Sequence, residues 1–361
     1  MNHRSPEDWA AEHLEDVPLS LNESKPNGGA ERDFEDRIGP PRANETPPVA
    51  ELGEWDAGDI KSPPPRAWLL GNVFCRTFLS SLIAEGGTGK IAVRYAQLLS
   101  LAIGRPLTGE HVFQRCRVLI VSLEDNADEA NRRVLAAMKH YGVTRDDVRG
   151  WLFIAAPGAR AGKLIAIEEK GQAEIGELTF NLEAAIVRRR IDIVSLDPFI
   201  KTHAVNENDN NLIDQVTQVL LDLAAKHDIA IDSPHHVRKG PAVPGDADRG
   251  RGASAARDAA RLVFSLATMM PNEAKDFDIP ETERRFYIRM DSAKVNIAPS
   301  AANAKWFKLV SVNLGNAADL YPNGDEVQTV EPWSPPGAFE CPRQRNDQSS
   351  PRHHRHGPFG W

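Results

Sequence analysis

The chain has 361 residues, with 43 basic and 51 acidic side chains for a net charge of −8, and 41% of it is hydrophobic. That apolar share is enough for one large buried core. Residues 1–60 hold fifteen acidic and five basic side chains, which leaves the remaining 301 near +2 and excludes attraction of nucleic acid through net charge alone, so any such site must be a local cluster. Cys75, Cys116 and Cys341 form no metal spacing, no stretch reaches about 18 consecutive apolar residues, and Met1-Asn2-His3-Arg4 opens no signal-peptide core. The expectation is a soluble, cytoplasmic protein with reduced thiols and no membrane partner.

Residues 1–60 are acidic and rich in Pro, Asn and Gly without a sustained period, which predicts a disordered segment. Pro63-Pro64-Pro65 stiffens the approach to the folded part. An apolar strand is predicted over Phe78–Ile83 and an apolar helix over Ala92–Ile103, closed by Gly104 and Pro106. Between them lies Ala84-Glu85-Gly86-Gly87-Thr88-Gly89-Lys90. A glycine-rich turn there aims successive backbone N–H groups at a phosphate chain, and the following helix adds the positive end of its dipole. Glu85 to Ile91 are the candidate nucleotide-binding residues, with Lys90 reaching the β- and γ-phosphates of ATP. The next position normally offers a Ser or Thr hydroxyl to Mg²⁺, but Ile91 stands there.

Arg117–Leu123 reads as a buried strand ending in Glu124-Asp125, and Asn126 with Glu129 forms a capping box for a helix that carries Val134, Ala137, Met138 and Tyr141 on one stripe. Glu124 is placed to polarise an attacking water as general base. Trp151–Ala156 is a short strand. Ile191–Leu196 is another, ending in Asp197, whose carboxylate is placed to hold Mg²⁺ or its waters. A helix with Ile213, Val216, Leu220 and Leu223 follows, then a strand over Asp228–Ser233 and His235-His236. A histidine at that depth can hydrogen-bond the γ-phosphate region, whereas adjacent histidines without further ligands make a poor zinc site.

Arg238, Lys239, Arg249 and Arg251 crowd the Gly/Pro-rich loop beyond, a cluster suited to a nucleic-acid phosphate backbone although no aromatic stacking platform accompanies it. A small-residue helix is predicted over Ser254–Leu266, with Arg261 inside it as a candidate arginine finger for a neighbouring subunit's nucleotide. Arg284–Met290 and Trp306–Val312 read as closing antiparallel strands, and from about Pro335 the periodicity ends. Repeated β–α units imply an α/β fold with a parallel sheet, right-handed crossovers and functional residues past the strand C-termini.

The ordered run of Ser80 to Lys90, Val118 to Asp125, Leu196-Asp197-Pro198-Phe199, His235 to Gly240 and Arg249 to Ser254 resembles the RepA-like AAA-type ATPases, RecA-fold relatives of hexameric plasmid replicative helicases. The likeness covers roughly residues 60–330. It implies a RecA-like P-loop NTPase domain over 61–330, between an acidic N-terminal segment (1–60) and a disordered tail (331–361). It further implies a homo-oligomeric ring, hexameric by analogy with those helicases, that binds DNA and holds ATP at each interface. In it Lys90 binds phosphate, Glu124 activates water, Asp197 serves Mg²⁺, His236 senses the γ-phosphate and Arg261 reaches across from the neighbour. Ala84 in place of the first glycine fits the group, and Ile91 departs from it. Loss of the hydroxyl ligand predicts retained but weakened nucleotide binding and slow hydrolysis. The alternative is a non-hydrolysing nucleotide-binding subunit with a regulatory or scaffold role.

Overall fold

The computed structural model describes residues 56–167, 173–207, 209–236, 254–299, 301 and 303–336, with only the backbone given at Ala159, Ile167, His236, Ser254, Ala255 and Arg257. The chain divides into two units, Met1–Pro63 and Pro64–Trp361. In the described part of the first, Ala57–Asp59 forms a 3₁₀ turn capped by the Asp56 carboxylate, which accepts from the Gly58 N–H at 2.7 Å.

The second unit is built on a ten-stranded sheet. Strands β3 (Leu79–Ala84), β4 (Val118–Ser122), β5 (Leu152–Ala155), β8 (Ile193–Asp197), β9 (Ala230–Asp232) and β11 (Leu262–Thr268) are mutually parallel, in the spatial order β11-β3-β9-β8-β4-β5. The two-residue β10 (His235–His236) continues the β9 line and pairs with the end of β3. Strands β12 (Tyr287–Val295), β13 (Lys305–Asn313) and β14 (Glu326–Trp333) then add in antiparallel sense beyond β11. Two small hairpins stand apart, β1 (Trp68–Leu70) with β2 (Phe74–Cys75) and β6 (Ile165–Ile167) with β7 (Ala173–Ile175). This is the α/β architecture of a RecA-like core, mostly parallel with antiparallel closing strands.

Alternation of side chains assigns each strand residue to one of two cores. Helices α1 (Lys90–Ile103) and α2 (Ala127–His140) cover one face, where Leu82, Ile120, Ile193, Phe264, Phe307 and Val330 are buried. The short α3 (Arg145–Val148) follows α2, and α4 (Glu177–Arg189) and α5 (Asn210–His227) cover the other face over Ile83, Val121, Leu196 and Ile231. A third cluster gathers Tyr287, Trp306, Phe277 and Trp333 around α7 (Pro271–Asp276), which lies between α6 (Ser254–Ala259) and α8 (Glu281–Arg284).

Two expectations change. The helix expected over Ser254–Leu266 stops at Ala259, and Leu262–Thr268 is the strand β11. Small residues with Leu, Val and Phe suit either state in isolation; here the segment lies between β3 and β12 with six of its seven residues buried, and ladder pairing on both edges outweighs local propensity. Arg261 therefore sits at the start of a strand and not inside a helix. The sheet also gains β14, which runs through Trp333, three residues past the expected domain boundary.

Candidate nucleotide site

The glycine-rich turn leaves β3 at Ala84 and feeds α1 at Lys90. Gly87 and Gly89 take φ of 81° and 95°, the left-handed region that favours glycine. A Cβ at Gly89 would stand 2.7 Å from Leu309 Cδ2 and 3.3 Å from Ile288 Cδ1, so the turn is also wedged against β12 and β13. Thr88 Oγ1 donates to the Glu85 carbonyl at 3.0 Å and closes the turn, which commits its hydroxyl locally. With 14 residues, α1 is long enough to present four unbonded N–H groups and a positive dipole end. The turn, α2 and the first residues of β14 enclose a cavity of about 280 Å³.

Lys90 is buried, and its Nζ lies 3.1 Å from Asp197 Oδ1. Asp197 ends β8 directly opposite Ser122 of β4, and its carbonyl accepts from the Leu123 N–H at 2.9 Å. Glu124, exposed, follows two residues after the end of β4 at the same edge of the sheet. Its neighbour Asp125 pairs with Arg133 of α2 at 2.9 Å. His235 and His236 stand opposite Ile83 and Ala84, the last residues before the turn. Lys90, Asp197, Glu124 and the histidine pair thus converge at the C-terminal edge of the parallel strands, where such sheets take ligands.

Arg261 is placed elsewhere. It is exposed at the start of β11, where its N–H donates to Leu79 O at 3.2 Å, and Leu262 pairs with Ser80 while Leu266 pairs with Ala84. It therefore lies at the opposite edge of the sheet from Lys90, and within one chain the two do not meet. The side chain of His236, and Arg238, Lys239, Arg249 and Arg251, lie outside the described residues or side chains.

Sequence reasoning missed what lies one helical turn below Lys90. Arg94, 2% exposed, places Nη2 3.0 Å from Asp232 Oδ1, and Asp232 is wholly buried. Ser80 of β3 and Ser195 of β8 both donate to the same carboxylate, at 3.1 and 3.0 Å. Burial pushes this carboxyl up, while Arg94 and the two hydroxyls pull it back down. Arg94 Nη1 donates to Gln97 Oε1 at 2.8 Å, Gln97 Nε2 donates to Glu110 Oε1 at 3.0 Å, and Lys305 of β13 pairs with that same oxygen at 3.0 Å. The signal was present as Lys90 and Arg94 spaced i, i+4 on α1, facing a strand that ends in an aspartate.

The loop after Asp197 adds a second unforeseen group. His203 is buried, its ring 5.0 Å from that of Phe199, which lies 5.2 Å from His235. Burial lowers its pKa to about 4, so it is neutral at pH 7. Cys75 and Cys116 are buried, and burial raises their thiols to about 11 and about 12, which makes them inert.

The turn fits a phosphate chain: its glycine geometry, the helix dipole and Lys90 all supply positive potential beside an open cavity. The fit to a divalent cation is partial. Asp197 offers an oxygen within reach of the turn, as a hydrated cation held by one carboxylate and phosphates requires, and among the described residues no cluster of three or more His, Cys, Asp or Glu competes for metal. Ile91 offers no oxygen, and its side chain packs on the α1-side core.

Among the described residues, no helix is long and apolar enough to cross a membrane. A family model described as an AAA domain matches residues 45–242, more than half of the chain. Together with the glycine turn, the Lys90–Asp197 pair and the RecA-like sheet, the match makes this chain a member of the AAA-domain family of nucleotide-binding P-loop ATPases.

Proposed function

We propose that the protein is an ATP-binding ATPase of the RepA-like replicative-helicase type, which couples nucleotide to DNA binding or translocation within a homo-oligomeric ring. The observation that carries the reading is the buried Lys90–Asp197 pair behind a left-handed glycine turn. Each charge is the other's counter-ion until a phosphate and a cation offer better partners, so the pair keeps the site ordered and poised. The glycine turn and Lys90 hold the β- and γ-phosphates. Asp197 holds a Mg²⁺ or its waters, which supplies Lewis-acid stabilisation of the phosphate charge when bound. Glu124 orients water and takes its proton.

His236 stands where the strand beside β3 reaches the turn, suited to report phosphate occupancy to the basic loop that follows it. Arg261, remote from its own chain's Lys90, fits a role only on a neighbour's nucleotide. Arg238, Lys239, Arg249 and Arg251 are the proposed contacts to the DNA backbone.

A second reading is favoured by Ile91. A non-hydrolysing subunit that uses nucleotide only to assemble would tolerate the lost hydroxyl. Calorimetric titration of the full chain with ADP and a slowly cleaved ATP analogue, with and without Mg²⁺, tests the shared premise. The expected result is saturable binding that Lys90→Ala abolishes, and absence of binding at millimolar nucleotide overturns both readings. DNA-stimulated ATP turnover then separates the motor from the assembly subunit.

A further inference from the structure

The cavity at the glycine turn is lined by three parts of the chain. The turn and the start of α1 contribute Glu85, Gly86, Gly87, Gly89 and Lys90 to Ala92, α2 contributes Glu129 and Arg133, and the beginning of β14 contributes Glu326, Val327 and Gln328. The β14 part lies outside residues 45–242, the part matched to the AAA domain. Pairing fixes its orientation. Leu309, which abuts Gly89, pairs with Val330, and the ladder continues with Ser311 opposite Gln328 and Asn313 opposite Glu326. Residues 326, 328 and 330 therefore share one face of the strand. Val330 on that face is wholly buried in the core beneath α1 and α2, while Gln328 and Glu326, both exposed, emerge beyond it along the cavity.

We propose that this segment reads the nucleoside of the bound nucleotide: Gln328 hydrogen-bonds adenine, and Glu326 accepts from the ribose hydroxyls. The inference rests on the nucleotide reading given above. The glycine N–H groups and Lys90 take the phosphates, so the β14 lining, whose Glu326 carboxylate would repel a polyphosphate, is left to the uncharged nucleoside. Ser311 Oγ donates to Glu326 Oε2 at 2.7 Å and holds the side chain in place. An ionised carboxylate only accepts hydrogen bonds, which matches vicinal hydroxyls. The amide of Gln328 offers one donor beside one acceptor. Adenine presents the complementary pair in its N6 amine and N7, whereas the corresponding edge of guanine presents two acceptors, N7 and O6. The wall is thus built to prefer adenine over guanine and ribose over deoxyribose.

The test measures binding of ADP, GDP, 2′-deoxy-ADP and inorganic tripolyphosphate to the full chain and to Gln328→Leu and Glu326→Ala. Both side chains are exposed on an edge strand, and circular dichroism checks that each variant folds. Gln328→Leu is expected to weaken ADP on the order of tenfold and to erase the ADP-over-GDP preference. Glu326→Ala is expected to erase the preference for ADP over 2′-deoxy-ADP. Tripolyphosphate should bind all three proteins equally. Equal affinity of the unaltered protein for ADP and GDP, or an undiminished preference in Gln328→Leu, overturns the inference while the phosphate site stands. Failure of the unaltered protein to bind either tripolyphosphate or ADP overturns the nucleotide reading itself, and this inference with it.

Discussion

Replacing Asp232 by Asn keeps the volume of the side chain and removes only its charge, which makes it the sharpest probe of the ion pair beneath the glycine turn. Arg94 is 2% exposed and Asp232 is wholly buried, so neither has water to fall back on. The variant leaves a guanidinium inside the core with Gln97 as its remaining neutral partner, and it sets an amide N–H₂ against serine hydroxyls that now donate to the carboxylate. Breaking a buried pair on one side costs roughly 3–5 kcal/mol. A kilocalorie shifts the melting temperature of a body this size by roughly 2–4 °C, so the expected drop is roughly 6–20 °C. The assay is thermal melting by circular dichroism, with urea titration as a second probe. Arg94→Met combined with Asp232→Leu should recover most of the loss, because an apolar replacement strands no charge. The reasoning fails if Asp232→Asn melts within about 2 °C of the unaltered protein, or if the double variant is no more stable than the single one.

Ile91→Thr restores a hydroxyl at the first helical positions and should raise Mg²⁺-dependent ATP turnover; equal, brisk rates before and after would refute the role given to this position. Gly89→Ala forces a Cβ into a left-handed backbone at 2.7 Å from Leu309 Cδ2 and should cost roughly 1–3 kcal/mol in melting experiments while abolishing ADP binding. His203 predicts a pH dependence. Its pKa near 4 in the folded state lies below the ordinary value of 6.5, so below pH 6.5 the unfolded chain binds the proton that the native protein refuses. Stability should therefore fall, by roughly 3 kcal/mol, as pH drops from 6.5 to 4, and level off below that. Urea titrations at pH 7 and pH 5 should show a smaller difference in His203→Leu than in the unaltered protein.

Strands β3, β4, β5 and β8 of the parallel part were legible because each is a short, mostly apolar run, and three of them lead into residues with chemical purpose: β3 before the glycines, β4 before Glu124, and β8 ending in Asp197. Largely buried, such strands show apolar character that needs no knowledge of the partner. The antiparallel β12 and β13 were legible too, whereas β11, the last of the parallel set, and β14 at the far edge were harder to read. Leu262–Thr268 carries no local mark that separates strand from helix, and its state is decided by β3 and β12, distant in sequence. Glu326–Trp333 escaped because its β-formers Val327, Thr329, Val330 and Trp333 are interrupted by polar neighbours and a Pro. Arg94 looked like one more helix cation until Asp232 was placed beside it. Arg261 was expected inside a helix that ends two residues before it, at Ala259.

Leu262–Leu266 pairs with Ser80–Ala84 across about half of the chain's length, and Leu309 is the wedge that shapes Gly89. As the polypeptide leaves the ribosome, the turn emerges early with both flanks of its strand unpaired. Strands β9 and β11 fill those flanks, and Leu309 brings the wedge only later. Pairings of such separation close slowly and are settled late. A product truncated after the AAA-matched portion would lack β11 and Leu309, leaving one edge of β3 bare and Gly89 without its wedge.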